Sequence, residues 1–419
     1  MTKPAKWVAR LGTGFMLIVL VLSCATVPGL REETGGSYIR VPFVRVLIDE
    51  GKTDVEIASE GQFAIECIRN NQQNVFYSTR PIRIYASSRH LRVQNDRGQV
   101  LGEGLDEVNV IPRGVGKRLK LGKHRYRGLL KALPLGRNVR VVNVLYIEDY
   151  LYGVVPPEIG PRTEAEIEAV KAQAIAARTY TISHLQQYGS EPYDLKNTVI
   201  DQVYHGVEAE VNLVNRAIDA TAGKVMMYGE EFIEAYYHST CGGSTDAIQS
   251  VWDRKEMPYL KPVDDSGACS WSKYYVWKET FSEKQLRGRL EQYLSSDRGR
   301  DLKIGRIKSL AIEDRTPGGR VVTLQVRTTS DTYRFHKDRI RWVLGRTSNP
   351  DLILPSDRFD VTIERDSKGN VENVIIGGRG YGHGVGMCQC GAIGLARDGW
   401  DHETILQHYY TGIDINKPY

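Results

Sequence analysis

Phenylalanine is scarce in this 419-residue chain, with 8 residues against 23 tyrosines and 41 glycines. That balance argues against a helical bundle and for many turns and a wet, tyrosine-lined surface. Charge of one sign is equally thin, since 56 Lys and Arg against 51 Asp and Glu leave a net +5. Lys3, Lys6 and Arg10 carry three of those charges at the start of the chain, so the remainder stands near +2. A bias that small provides no footprint for nucleic acid. No repeat of fixed period is visible. The composition, 41% hydrophobic and 26% charged, excludes wholesale disorder, a collagen-like chain and a polytopic membrane protein. The length suits two or three domain-sized units, or one large domain with insertions.

The apolar run Leu11–Leu22 is short for a bilayer-spanning helix and follows a cationic start. It ends at Val21-Leu22-Ser23-Cys24, which resembles a lipobox, where small residues admit the signal peptidase and the cysteine thiol takes a diacylglyceryl group. Residues 1–23 therefore read as a lipoprotein signal peptide and 24–37 as a Pro/Gly/polar tether. The expectation is an exported protein, lipid-anchored through Cys24 to a bacterial membrane facing the cell wall. Six cysteines less Cys24 leave Cys67, Cys241, Cys269, Cys388 and Cys390, an odd number that implies a free thiol or a metal ligand. Cys67 lies in the apolar run Phe63–Ile68 and reads as a buried strand thiol. Cys241 and Cys269 pair with each other either as a disulfide or as ligands.

Residues 38–146 alternate apolar and polar side chains in short runs, among them Tyr38–Leu47, Pro81–Tyr85, His90–Val93, Glu107–Ile111 and Asn138–Tyr146. Turn clusters between them predict a β-rich N-terminal part. The texture changes over 147–419. Thr163-Glu-Ala-Glu166 has capping-box spacing and opens an alanine-rich helix running to Leu185, predicted to be central, buried and closely packed. A further helix is predicted over Val211–Ala222, a charged helical stretch with a solvated face over 278–300, and strands over 301–376. Gly377–Gly386 is a glycine-rich loop followed by two short helices. Strand blocks with inserted helices predict an α+β fold.

The motifs Asp149–Glu158, Ala169–Tyr180, Asp201–Gly206, Tyr237–Ser244, Gly380–Met387 and Ile405–Gly412 resemble, in order, those of the stage II sporulation protein D family, which includes the amidase-enhancer proteins. The resemblance covers roughly residues 125–412. It implies a peptidoglycan lytic transglycosylase acting on glycan strands, preferentially strands stripped of stem peptides, with Glu158 as the catalytic acid. Departures are Ile159 in place of the family's methionine, and Cys388-Gln389-Cys390 where Ser-Gln-Tyr is usual.

Chemistry fits that assignment of Glu158. Two prolines before it stiffen the chain, and apolar burial would keep a carboxyl protonated for donation, against the opposing field of the helix expected to begin nearby. Ordinary glycosidases pair two carboxylates. No obvious partner sits near Glu158. Asp201 is the best second carboxylate, with a structural role beside Gln202 and Tyr204 as its alternative. A single Glu is enough where the muramoyl C6 hydroxyl attacks within the same strand and leaves 1,6-anhydromuramoyl ends.

Substrate contacts are expected of Arg178, Gln202, Tyr204, His383 and Gln389, with an ion pair to Glu158 or another carboxylate as the other reading of Arg178 and a hydrogen-bonded structural histidine as that of His383. His238-Ser-Thr-Cys241 with Cys269 offers three ligands for zinc, a reading the resemblance supports through zinc's association with this segment in the family, and a fourth ligand is not named by the sequence. The Cys241–Cys269 disulfide is the alternative. A cluster of His383, Cys388 and Cys390 is a further metal option. Gly380–Gly386 imitates a phosphate loop but lacks its Lys-Ser/Thr, so it reads as a cleft wall. Two rivals to the glycan-cleaving enzyme follow. One is a non-catalytic peptidoglycan-binding enhancer of an amidase partner, the other a zinc hydrolase built on His238 and the cysteines.

Overall fold

The structure, a computed structural model, describes residues 41–198, 200–349 and 351–419. The expected leader, Cys24 and the tether lie outside the described residues. Alternation in the first part builds two facing sheets. Seven strands run in the order Leu195–Lys196, Phe43–Lys52, Asn138–Tyr146, Leu129–Leu135, Glu107–Pro112, Phe63–Arg69 and Gln72–Ser78. Six more run His124–Tyr126, Leu119–Leu121, Asp54–Ser59, Ile82–Ser87, His90–Asn95 and Val100–Leu105. Val44, Val46, Val110 and Val141 from the first sheet share one hydrophobic core with Val55, Ile57, Ile84 and Val93 from the second. Cys67 is buried in this core as a free thiol. The strand expected from residue 38 begins at Phe43, where pairing with Tyr146 starts.

That pairing also sets the first helix. Asn138–Tyr146 passes without a loop into the helix Ile147–Ile159, which the sequence reading leaves as an irregular approach to Glu158. Pro156 and Pro157 hide it, because proline inside a helix removes a hydrogen bond to the carbonyl four residues back. Here both fall in the last turn, where the loss is tolerated. Glu166 then accepts the Thr163 N–H at 2.9 Å and starts a short 3-10 turn, Glu164–Glu166. The helix Ile167–Ser183 follows. It is buried on nearly every side because Ala169, Ala172, Ala174, Ala176 and Ala177 let its neighbours come close. Those neighbours are the helices Ile147–Ile159, Asn212–Ala220, Gln389–Arg397 and His402–Tyr409. The result is a mixed α+β fold.

Residues 277–378 gather a hydrophobic core of their own, which the reading of 147–419 as one block does not separate. Trp277–Ser282, Phe359–Arg365 and Val371–Gly378 form one small sheet, and Ile307–Arg315, Val321–Thr328 and Thr332–His336 another. The charged stretch read as a solvated helix face becomes the helix Glu283–Arg298, whose Leu286, Leu290 and Leu294 recur every fourth residue and enter this second core. Arg320 fastens the module to the rest. It has no exposed surface, and pairs with Asp357 of the module and, at 3.2 Å, with Asp246 of the main body. Among the described residues no helix is long and apolar enough to cross a membrane.

Candidate functional site

Glu158 lies in the last turn of Ile147–Ile159, so the expected helix N-terminus beside it is instead a helix C-terminus. The carbonyl end of a helix disfavours a carboxylate, reversing the opposition anticipated from sequence. The prolines contribute directly. Pro157 has no N–H for the Gly153 carbonyl, which accepts the His205 N–H at 3.3 Å instead. That bond returns residues 203–205 along the helix end, where the Val203 N–H donates to Glu158 Oε1 at 3.1 Å. Burial pushes the Glu158 carboxyl up to about 6, against the Val203 N–H and the Gln389 side chain, which favour its charged form. A group poised there holds its proton in mildly acid solution and gives it up readily.

A cleft of about 460 Å³ opens over Glu158. Tyr180, Tyr236, Tyr237, Trp252, Tyr381 and His383 line it, together with His238 and Gln389. Tyr237 and His238 pair in parallel with Met387 and Cys388, which brings Gln389, at the start of its helix, to the cleft beside them. Glycine is required at two points of the loop between. Gly386 has φ of +70°, and a Cβ there would stand 2.0 Å from the Tyr236 carbonyl oxygen. Gly382 has φ of +115°, and its Cβ would lie 2.7 Å from that of His238. The indole of Trp252 lies 5.1 Å from the Tyr236 ring and 4.9 Å from His383, forming one aromatic face. Such a face suits the apolar side of a sugar ring.

His383 and Gln389 border the cleft as expected. His383 bonds the Tyr237 carbonyl through Nε2 at 3.0 Å and accepts the Val385 N–H at Nδ1, and burial lowers it to about 4, so it is neutral. His238 is also kept neutral by burial. Its Nδ1 meets the Val385 carbonyl at 3.2 Å while Nε2, buried in the cleft wall, has no partner. The Nδ1 proton goes to that carbonyl, so Nε2 is a bare acceptor.

Three expected substrate ligands are not in the cleft. Arg178 is fully buried and bonds both oxygens of Glu148, at 2.8 and 2.7 Å, so its charge is consumed inside the helix cluster. Tyr204 is buried with its hydroxyl donated to Asn143 at 2.8 Å. Gln202 lies beneath the cleft floor, accepting from Thr181 at 2.8 Å and Tyr150 at 3.2 Å and donating to the Tyr237 hydroxyl at 3.1 Å. It holds a lining residue rather than a substrate. Asp201 does border the cleft, but Lys196 N–H, the Tyr188 hydroxyl and the Gln187 amide occupy its carboxylate at 2.7, 2.8 and 3.0 Å. Trp252, Tyr236 and Tyr381 went unread as site residues. Trp252, Trp271 and Trp277 stand out in the sequence, but nothing local shows which indole faces the cleft.

The cysteines converge differently from either expectation. Cys241 and Cys269 are free thiols with their sulfurs 3.5 Å apart, well beyond the roughly 2.05 Å of a disulfide. Cys388 and Asp265 join them, and the donor atoms of all four lie within 4.8 Å of one another. His238, His383 and Cys390 are outside this group. The backbone explains it for His238, whose Nδ1 is turned to Val385. The Cys390 carbonyl accepts the Trp271 indole N–H at 3.0 Å, and its half-buried thiol remains free. The residues that suit zinc are thus Cys241, Asp265, Cys269 and Cys388, soft thiolates with one carboxylate.

Residues 136–228 match the stage II sporulation protein family, and residues 268–386 match a domain of unknown function (DUF8618) that coincides largely with the second core. An uncharacterised protein of Brachyspira hyodysenteriae is 33% identical over 320 residues, covering 75% of this chain and 80% of the relative. The stage II sporulation protein D of Bacillus amyloliquefaciens is 31% identical over 287 residues, 65% of this chain and 74% of the relative. The amidase enhancer of Bacillus subtilis is 30% identical over 295 residues, 63% of this chain but 40% of the enhancer.

Proposed function

The chain belongs to the stage II sporulation protein D family, and from that premise we propose that it cleaves the glycan strands of peptidoglycan as a lytic transglycosylase, with Glu158 as the single general acid and base. The observation that carries this reading is Glu158 itself, a carboxyl held near 6 on the floor of an aromatic cleft. The other carboxylate bordering that cleft, Asp201, is tied to three donors and free for neither nucleophilic attack nor activation of water.

In the proposed reaction the neutral Glu158 gives its proton to the glycosidic oxygen as the bond to the anomeric carbon breaks. The carboxylate so formed is met by the Val203 N–H and the Gln389 side chain, donors already aimed at it. Glu158 then accepts the proton of the muramoyl C6 hydroxyl as that oxygen closes on the anomeric carbon, which restores the acid and consumes no water. Strands stripped of stem peptides are the expected substrate, as the family resemblance implies.

Mass spectrometry of purified denuded strands after incubation tests this. The expected products end in 1,6-anhydromuramic acid and disappear with Glu158→Gln. Reducing ends would reject the transglycosylase step, and anhydro products at normal rate from the variant would reject Glu158. The name of the Bacillus subtilis relative favours a second reading, a peptidoglycan-binding enhancer of an amidase. In that case Glu158→Gln keeps full stimulation of the amidase and the wild type releases no glycan fragments. Export and lipid anchoring through Cys24 remain part of the proposal, supported by the cationic start and the Ser23-Cys24 junction. A Cys24→Ala protein from which the leader has been cleaved is expected to leave the membrane.

A further inference from the structure

Three thiols and a carboxyl in one dry pocket are an improbable way to fill a hydrophobic core. Cys241, Cys269, Cys388 and Asp265 are all essentially without exposed surface, and the polypeptide brings them from three separate stretches. Apolar side chains would pack the same volume at no polar cost, because a buried carboxyl needs partners and a buried thiol gains little from its own. The surroundings are instead built for anionic sulfur. Cys388 Sγ receives the Cys241 N–H and the Gly391 N–H, each at 3.2 Å, and Cys241 Sγ receives the Gly243 N–H at 3.3 Å. Asp265 is oriented by the Cys269 N–H on Oδ2, at 2.8 Å, and by the Tyr409 hydroxyl on Oδ1. Space has been kept for it as well: a Cβ on Gly391 would stand 2.0 Å from Asp265 Oδ1.

The distances suit one ion. Two sulfurs bound at about 2.3 Å to a shared tetrahedral centre stand about 3.8 Å apart. The 3.5 Å between Cys241 and Cys269, with all donor atoms inside 4.8 Å, lies close to that value. A disulfide would use two of the thiols and leave the third, and the carboxyl, without a purpose. We infer that Cys241, Asp265, Cys269 and Cys388 form a closed, tetrahedral zinc site that clamps three segments of the chain behind the wall of the Glu158 cleft. The site is structural, since four protein donors leave no position for substrate or water. Hydrogen-bonded second partners of the kind seen here hold such ligands in place. Arg320, ion-paired with Asp246 and Asp357, also donates to the Cys241 carbonyl at 3.4 Å and so fixes the backbone of that ligand.

The clamp bears on the cleft through sequence. Cys388 directly precedes Gln389 and pairs with His238, and Cys241 follows His238 by three residues. Losing the ion is expected to loosen the strand pair that carries His238 and leads into Gln389, though no ligand touches substrate.

Metal content of the full-length chain, purified in detergent under reducing conditions, tests the inference without reference to glycan cleavage. One equivalent of zinc per chain is expected, falling below a tenth in Cys269→Ser and Cys388→Ser and retained in His238→Ala. Should the serine variants fail to fold, cobalt(II) added to the metal-free wild type gives the second reading. Intense thiolate-to-metal absorption in the near ultraviolet with tetrahedral visible bands is expected, and zinc should bleach both. A reduced chain that takes up neither ion, a Cys241–Cys269 disulfide in the peptide map of protein isolated without reductant, or metal lost from His238→Ala but kept by Cys388→Ser, would each overturn the site. None of these outcomes depends on whether Glu158 is the acid.

Discussion

Replacing Glu158 with glutamine should do opposite things to activity and to stability. The folded chain holds this carboxyl at about 6, against 4.5 for the ordinary group. Between those values the native state keeps a proton that the unfolded chain has released. The stabilisation from that proton is complete below about pH 4.5 and is lost as pH rises through 6. A difference of about 1.5 pKa units corresponds to about 2 kcal/mol, an upper value because Glu158 retains some contact with solvent in the cleft. Glutamine keeps the shape, accepts the Val203 N–H and does not titrate.

Urea unfolding of wild type and variant at pH 4 and pH 7.5 therefore should reveal a gap that widens by about 2 kcal/mol toward the higher pH, with the variant the more stable. Over the same range anhydro-product formation should fall by about 10²–10⁴-fold in the variant. The wild-type rate should decline above an apparent pKa near 6, because the acid form donates first. Unfolding curves that stay parallel across pH would show that burial does not set this carboxyl, and the argument for Glu158 as acid would lose its physical basis.

Other perturbations separate cleft from scaffold. Arg178→Met should cost about 3–5 kcal/mol in urea by stranding Glu148, with glycan affinity per folded molecule unchanged; weakened affinity at normal stability would return Arg178 to the cleft. Trp252→Ala removes the indole that joins Tyr236 to His383, and KM on denuded strands should rise five- to thirtyfold, about 1–2 kcal/mol, with kcat nearly constant. An unchanged KM would mean that sugar does not lie on that face. Gly386→Ala forces a side chain against the Tyr236 carbonyl at positive φ, so soluble folded protein should be lost or destabilised by more than about 2 kcal/mol in thermal melts. A melting temperature within a degree or two of wild type would refute the loop geometry.

Local pattern accounts for what was legible beforehand. Alternation in Asn138–Tyr146 and His90–Asn95 declares strands because side chains on a strand face two ways, and the alanines of Ile167–Ser183 with the Thr163–Glu166 cap declare a buried helix. The family motifs point to Glu158, His383 and Gln389, and all three border one cleft. Pro156 and Pro157 mask the helix that carries Glu158, because proline's cost depends on whether it falls in a helix middle or in its last turn. The charged stretch after Ser282 conceals a core-facing row of leucines for a similar reason, since polar residues outnumber them until the second core is present.

Residue type limits which bonds a side chain can form, whereas its partner is chosen by the packing of distant segments. Arg178 had the chemistry to hold a glycan, and a glutamate thirty positions earlier claimed it. Cys388 stands far in sequence from Cys241 and Cys269, and a pairing between Tyr237-His238 and Met387-Cys388 brings it there, while Asp265, four residues before Cys269, joins through a local turn. Most strands, the alanine-rich helix, the family motifs and Glu158 as the candidate acid were thus legible from short-range sterics and residue chemistry written in the sequence. Which polar groups face the cleft, and which four donors share a pocket, was decided only by tertiary structure, because burial and partner are properties of long-range contacts that no local window contains.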